Sequence, residues 1–290
     1  MNRFILVTGA KGQLGSEIHK LASEYTNLSF YFADRQELDI SNKSAIEDFC
    51  KKHTVDTIIN CAAYTAVDKA EEDSENANHI NNLATRYIAE VSKDLKISLI
   101  HISTDYVFNG RAFKPYEEDA EVDPQGVYGQ TKLDGEKSLQ EVNPENSIII
   151  RTSWVYSSFG NNFVKTMLRL GNDRSELSVI FDQVGTPTYA KDLAKVILDI
   201  LPKIENSNVE IYHYSNEGVC SWYDFAKTIF ELSNIDCKVN PIETKQYPTP
   251  ATRPHYSLLN KAKIKNTYSI KIPYWKDSLQ ECLNVLKENI

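Results

Sequence analysis

Two side chains in the stretch Tyr128-Gly129-Gln130-Thr131-Lys132 have the types and spacing for proton transfer. On a helix, residues at i and i+4 share a face one turn apart, so the phenol of Tyr128 and the ammonium of Lys132 point the same way. A tyrosine in water has a pKa near ~10 and is a poor acid at neutral pH. A neighbouring cation stabilises the phenolate and makes its proton easier to give. Reduction of a carbonyl needs such a donor, because an arriving hydride leaves an alkoxide on oxygen. A hydroxyl at the end of a strand can hold that oxygen, and Ser103-Thr104-Asp105 closes an apolar run that reads as a strand. Thr104, Tyr128 and Lys132 are the candidate catalytic residues. In a chain with 16 tyrosines, a Tyr-x-x-x-Lys spacing is by itself more often a surface pair; its weight comes from the company it keeps.

That company is a glycine turn. Gly9, Gly12 and Gly15 fall in Thr8-Gly9-Ala10-Lys11-Gly12-Gln13-Leu14-Gly15, directly after an apolar run and at the start of an amphipathic segment. Glycines here let the chain turn tightly, let the backbone approach a pyrophosphate, and let the helix pack close to the strand. The helix N-terminus offers unpaired N–H groups and partial positive charge to phosphates. The spacing is G-x-x-G-x-x-G and departs from the G-x-G-x-x-G fingerprint, so a tight loop without a ligand is the bland alternative. Asp34 ends the next strand, where an acid would hold the adenosine ribose of NAD. Arg35 follows and would suit the 2′-phosphate of NADP. The residues leave NADH and NADPH both open.

The elements that must position these groups alternate along the first half of the chain. Phe4–Thr8, Leu28–Ala33, Thr57–Cys61, Ile97–Ser103 and Ser147–Thr152 read as strands. Leu14–Glu24, Ser44–His53, Ala77–Lys93 and Tyr128–Glu141 read as helices between them. Near-continuous apolar strands separated by helices predict an α/β fold, a doubly wound parallel (Rossmann) sheet covered on both faces. Beyond Trp154 the rhythm changes. A polar loop with Phe159-Gly160-Asn161-Asn162 precedes an amphipathic segment from Phe163, a strand Leu177–Phe181, a helix Lys191–Leu201, a strand Glu210–Tyr214 and a helix Ser221–Leu232. This predicts a smaller C-terminal lobe that binds substrate. The expected division is 1-155 for the dinucleotide domain, with 190-218 returning to it, and 156-189 plus 219-290 for the lobe.

Composition excludes several classes. The net charge of −8 argues against general binding to nucleic acid or anionic lipid. Five scattered cysteines without a Cys-x-x-Cys pair argue for a reducing compartment and against a structural zinc. The first residues are too short an apolar run for a signal peptide, and no stretch suggests a membrane span. The expectation is a cytoplasmic protein with no metal and no membrane or nucleic-acid partner, leaving room for a homodimer.

Longer segments go beyond this general pattern: Ala62-Ala63-Tyr64-Thr65-Ala66-Val67-Asp68-Lys69-Ala70-Glu71, Ser103-Thr104-Asp105-Tyr106-Val107-Phe108, Val127 to Lys132, Arg151-Thr152-Ser153-Trp154-Val155-Tyr156, and Pro248-Thr249-Pro250-Ala251-Thr252-Arg253-Pro254. On these the chain resembles, over nearly its whole length, the extended branch of the short-chain dehydrogenase/reductase superfamily. Within it the chain is similar to the dTDP-4-dehydrorhamnose reductases. The resemblance implies NAD(P)H-dependent reduction of the C4 keto group of dTDP-4-dehydro-L-rhamnose to dTDP-L-rhamnose, with a nucleotide sugar as substrate. It implies Tyr128 as proton donor, Lys132 as its tuner and ribose ligand, and Thr104 on the C4 oxygen with Asp105 beside the sugar. Asp39 and Ile40 would line the adenine end. Ala62, Ala63, Tyr64 and Thr65 would flank the cofactor, as would Lys11, Gln13 and Leu14 of the glycine turn. Trp154 would lie along the sugar nucleotide, and Arg253 would take the substrate diphosphate, which a guanidinium matches bidentately. Asp68, Glu71 and Glu72 read as a solvated helix start or loop, and Asn81 as either a structural asparagine or an ordinary polar helix site. Two other readings stay open: a reductase or epimerase of another nucleotide keto-sugar, and a non-catalytic regulatory subunit of a methionine adenosyltransferase.

Overall fold

A computed structural model describes residues 3–288. Alternation of β1 (Arg3–Thr8), α1 (Gln13–Leu21), β2 (Leu28–Ala33), α2 (Lys43–His53) and β3 (Thr57–Asn60) opens the chain. It continues through α3 (Ala84–Leu95), β4 (Ser98–Thr104), α4 (Val127–Val142) and β5 (Ser147–Thr152). Then follow α5 (Phe163–Asp173), β6 (Glu176–Ile180), α6 (Ala190–Ile200), β7 (Glu210–His213), α7 (Trp222–Ser233), β8 (Lys238–Ile242) and α8 (Trp275–Glu288).

The central sheet has six strands, in the order β7-β5-β4-β3-β1-β2, and every pairing in it is parallel. The strands read as unbroken apolar runs because both faces are covered, and side chains alternate between those faces. Ile5, Val7, Ile59, Ile100, Ile148 and Ile150 pack with Leu14 and Ile18 of α1 and Leu193 and Ile197 of α6. Leu6, Ile58, Leu99 and Ile149 pack on the other face with Ile46 of α2, Ile88 of α3 and Leu139 of α4. The strand order reverses at β1, whose neighbours are β2 and β3, so a crevice opens beyond their carboxyl ends.

A second core gathers Val164 and Met167 of α5, Phe225 and Ile229 of α7, and Trp275 and Leu279 of α8 around Tyr156 and Tyr189. The parallel pair β6 and β8 lies with it. Helix α8 and strand β8 are absent from the sequence reading, and the helical segment Ala262–Tyr268 sends Ile264 and Tyr268 into the sheet's core instead. The continuous helix expected over Ala77–Lys93 is a correction. Ser74–Asn78 is α-helical, His79–Leu83 is a π turn, and only then does α3 begin. Among the described residues no helix is long and apolar enough to cross a membrane.

Candidate active site

One cleft of about 850 Å³ runs across the carboxyl ends of the strands. At one end lies the glycine turn. Gly9 has φ of 65°, and a Cβ there would stand 2.7 Å from the backbone nitrogen of Ala62. A Cβ on Gly15 would stand 2.5 Å from the Gly9 carbonyl oxygen, so α1 can approach β1 only without one. Gly12 caps α1 with no side-chain bond to the first N–H groups, which leaves them for an anion. Lys11, Gln13 and Leu14 line the cleft beside it.

Asp34 and Arg35 line the same end, but Asp34 is not a free acid. Its carboxylate pairs with Lys11 and accepts from the N–H groups of Gln36 (2.7 Å) and Glu37 (3.3 Å). Hydrogen bonding to Lys11 and to the turn holds it down to about 2. Asp39 is turned inward on its own loop, accepting from the Ser41 hydroxyl at 2.6 Å and backbone at 3.0 Å. Asp39, Ile40, Ala62, Ala63, Tyr64 and Thr65 all line the cleft.

At the other end the catalytic candidates converge. Helix α4 brings Tyr128 and Lys132 to the cleft, and the end of β4 brings Thr104 and Asp105. Burial pushes the Tyr128 phenol up to about 12, opposed by the Thr104 hydroxyl beside it and reinforced by Asp105. Tyr106 meets the Tyr128 ring edge-on at 5.4 Å. The Lys132 ammonium donates to the Ile102 carbonyl at 2.7 Å and lies 3.3 Å from His101 Nε2. Burial brings it down to about 8, against the opposing charge of Glu136. The expectation that Lys132 lowers Tyr128 therefore needs correcting for this geometry: desolvation dominates both groups and drives them toward neutrality.

Asp105 is pushed up to about 6 by burial, which the Ser257 and Thr104 hydroxyls oppose. Asp105 Oδ2 and Ser103 Oγ, both at the cleft, are buried without a hydrogen-bond partner. Buried polar atoms of this kind want a polar ligand. Trp154 takes φ of 49° and stacks on Trp222 with ring centroids 3.7 Å apart. A tryptophan in the left-handed region is costly unless its surroundings hold it there; the stacking presents it at the cleft.

Several residues act through partners distant in sequence. Asn81, within the π turn, accepts from the Tyr64 N–H at 2.9 Å and donates to the Tyr64 carbonyl at 3.2 Å and to Thr131 of α4 at 3.1 Å. It ties the cleft-lining loop to the helix that carries Tyr128. Glu71 and Asp68 were expected to be solvated, and both are engaged. Glu71 accepts from Val127 N–H at 3.0 Å and caps α4. Asp68 accepts from Arg253 Nη2 at 2.7 Å and from the Ala251 N–H. Arg253 is not in the cleft lining, but its Nη1 is buried with no partner. Asn161, Gly160 and Ser153 also line the cleft; the polar loop around Phe159 was the sequence signal for the first two, and Ser153 stood in the Arg151–Tyr156 segment of the resemblance without a role assigned to it.

Residues 1–288 match the family model described as RmlD substrate binding domain. A dTDP-4-dehydrorhamnose reductase of Aggregatibacter actinomycetemcomitans is 41% identical over 286 residues, covering 95% of this chain and 97% of that one. The dTDP-4-dehydrorhamnose reductase structure from Clostridium acetobutylicum superposes with a TM-score of 0.93 at 44% identity, covering 98% of this chain and 99% of that one. The Bacillus anthracis dTDP-4-dehydrorhamnose reductase, crystallised with NADP, superposes with a TM-score of 0.93 at 38% identity, covering 98% and 100%. With a Rossmann sheet, a glycine turn and a Thr-Tyr-Lys cleft beneath this likeness, the chain belongs to the RmlD substrate-binding-domain family, whose named relatives here are dTDP-4-dehydrorhamnose reductases.

Proposed function

We propose that this protein reduces the C4 keto group of dTDP-4-dehydro-L-rhamnose to give dTDP-L-rhamnose, using NADPH or NADH, with Tyr128 as the proton donor. The observation that carries this reading is the convergence of Thr104, Tyr128 and Lys132 on one cleft whose far end is an uncapped helix start behind a glycine turn. Gly9, Lys11, Gly12, Gln13, Leu14 and Gly15 would hold the dinucleotide's diphosphate, and the turn fits it because the first N–H groups of α1 behind Gly12 have no side-chain cap. Asp34, Arg35, Asp39 and Ile40 would flank the adenosine, with Ala62 to Thr65 along the middle. When bound, the dihydronicotinamide supplies the hydride. The sheet residues 1-155 with 190-218 would carry the cofactor, and 156-189 with most of 219-290 would close over the sugar nucleotide. Trp154 would lie along it, and Arg253, held by Asp68 outside the cleft lining, would turn to take its diphosphate.

The side chains divide the proton chemistry. Thr104 holds the keto oxygen. Tyr128, protonated throughout the physiological range because burial lifts it to about 12, gives its proton to that oxygen as negative charge develops there. An alkoxide is more basic than this phenolate, so the transfer runs downhill. Lys132, when charged, stabilises the phenolate left behind and would hold the nicotinamide ribose. Its pKa near 8 fixes the sign of one prediction. The ammonium is present below about pH 8 and lost above it, so kcat/KM should fall as pH rises through that value. A profile flat to about pH 10 would count against a charged Lys132 in catalysis.

The occupied Asp34 bears on cofactor choice. With Lys11 paired to it and Arg35 adjacent, two cations stand where a 2′-phosphate would sit. Arg35→Ala should raise KM for NADPH roughly tenfold and leave that for NADH nearly unchanged, as expected for loss of one exposed charge-assisted bond. Equal effects on both would remove Arg35 from phosphate recognition. The direct test of the function is loss of reduced-nicotinamide absorbance on adding dTDP-4-dehydro-L-rhamnose. Oxidation that yields dTDP-L-rhamnose supports the reading; turnover only with another keto-sugar nucleotide reassigns the substrate.

A further inference from the structure

Lys132 faces the cleft on one side and a buried polar row on the other. Thr8, Asn60 and His101 stand in register on β1, β3 and β4, in a sheet whose adjoining positions are Leu6, Ile58 and Leu99. All three are buried, and His101 is 0% exposed. Polar groups in such a layer are costly unless they satisfy one another. These do. Thr8 Oγ1 donates to Asn60 Oδ1 at 2.7 Å, Asn60 Nδ2 lies 3.0 Å from His101 Nδ1, and His101 Nε2 lies 3.3 Å from Lys132 Nζ.

We propose that His101 is a positioning residue for Lys132: its neutral imidazole accepts a hydrogen bond from the lysine ammonium at Nε2, and Asn60 and Thr8 hold the ring in that tautomer. This rests on the role given to Lys132 above and deepens it. Counting protons makes the arrangement specific. If Nε2 accepts, Nδ1 carries the hydrogen and must donate, which requires the Asn60 amide to be turned end for end from the orientation in which Nδ2 faces the ring and Oδ1 faces Thr8. The two ends of that amide are nearly isosteric, so its direction follows the protons. Its NH₂ then donates to Thr8, and donation runs from Lys132 through His101 and Asn60 to Thr8. A neutral lysine would reverse every bond. A hydrogen bond from an ionised donor is roughly twice as strong as a neutral one, so the row favours the ammonium.

Other groups surround Lys132. Glu136 follows one turn later on α4 and is closed by Arg151 of β5. Tyr128 precedes it by one turn, while Asp105 and Cys61 line the cleft at the ends of β4 and β3. Burial holds His101 itself well below the usual histidine range, with the Lys132 charge adding to that effect. It therefore stays a neutral acceptor at any pH at which Lys132 titrates.

The test uses the full-length protein in three variants: His101→Leu, His101→Gln and Lys132→Met. For wild type, His101→Leu and His101→Gln, kcat/KM is measured against pH and NADPH binding by titration. His101→Leu should move the alkaline limb down by about one pH unit, a roughly fivefold loss at pH 8 that approaches about tenfold above it and shrinks at lower pH. The amide oxygen of His101→Gln should restore most of it. Independently of turnover, ¹⁵N-histidine spectra should show His101 as the Nδ1–H tautomer, with an Nε2 resonance that shifts in Lys132→Met. An unmoved limb with uniform loss at all pH, or a protonated Nε2 in wild type near neutral pH, overturns the proposal. If His101→Leu does not fold, the glutamine variant and the wild-type spectrum decide. If Lys132→Met keeps full activity, the catalytic reading of Lys132 fails, and the spectra still judge the contact.

Discussion

Tyr128→Phe is expected to lower kcat by about 10²–10⁴-fold, the range for loss of a positioned general acid, while NADPH binding stays close to wild type. The change removes one oxygen and keeps the ring. The edge-on contact with Tyr106 at 5.4 Å survives, as does the helix that presents it. What is lost is the proton held at the cleft beside Thr104 and Asp105. Lowering of kcat and kcat/KM together would mark an interaction made in the transition state. Near wild-type turnover in this variant would show that the acid is another group or water. Loss of dinucleotide affinity alongside turnover would instead place Tyr128 chiefly in binding.

The largest expected effect on stability is at a site that touches no ligand. Arg151 of β5 holds Glu136 of α4 through Nε at 3.0 Å and Nη2 at 2.7 Å, and Nη1 donates to the Glu118 carbonyl at 3.2 Å. The two side chains are only 3% and 1% exposed. The guanidinium also lies over the Phe108 ring at 5.1 Å. Arg151→Met leaves a carboxylate buried without its partner, which should cost roughly 3–5 kcal/mol. Urea unfolding followed by circular dichroism measures it. The double variant Arg151→Met, Glu136→Leu removes both charges and should recover much of that loss, since a buried ion pair often contributes little over apolar packing. If the double variant is as unstable as the single one, the pair's hydrogen bonds or the Phe108 contact, and not the uncompensated charge, set the cost. Activity should fall with the single variant as well, because Glu136 lies one turn from Lys132.

Much of the frame was legible from residue order. The apolar runs expected to end at Thr8, Cys61 and Ser103 became adjacent parallel strands within a residue of their expected bounds. The glycine turn between β1 and α1 is a local matter too, since φ of 65° at Gly9 and the tight approach at Gly15 follow from bonds only a few residues apart. The shared face of Tyr128 and Lys132 follows from helix periodicity alone. The π turn at His79–Leu83 was not legible. It is held by Asn81 bonding to Tyr64 and Thr131, contacts that no window of sequence contains.

By itself, then, the sequence determined the layers, the turn and many of the side chains that line the cleft, though neither Ser153 nor the place of Arg253, because sterics, periodicity and alternation act between near neighbours in the chain. Only the tertiary structure decided the electrostatic state of those side chains. Tyr128 was expected to be lowered by Lys132 and is raised to about 12 by burial. Asp34 was read as an acid for the adenosine ribose of NAD and is paired with Lys11. Asp68 and Glu71, read as solvated, hold Arg253 and the start of α4. Lys132 donates to the Ile102 carbonyl and lies beside His101, both on a strand rather than on its own helix. A pKa or a buried pairing is a sum over everything packed around a group, and those neighbours are brought together only when distant segments fold against one another.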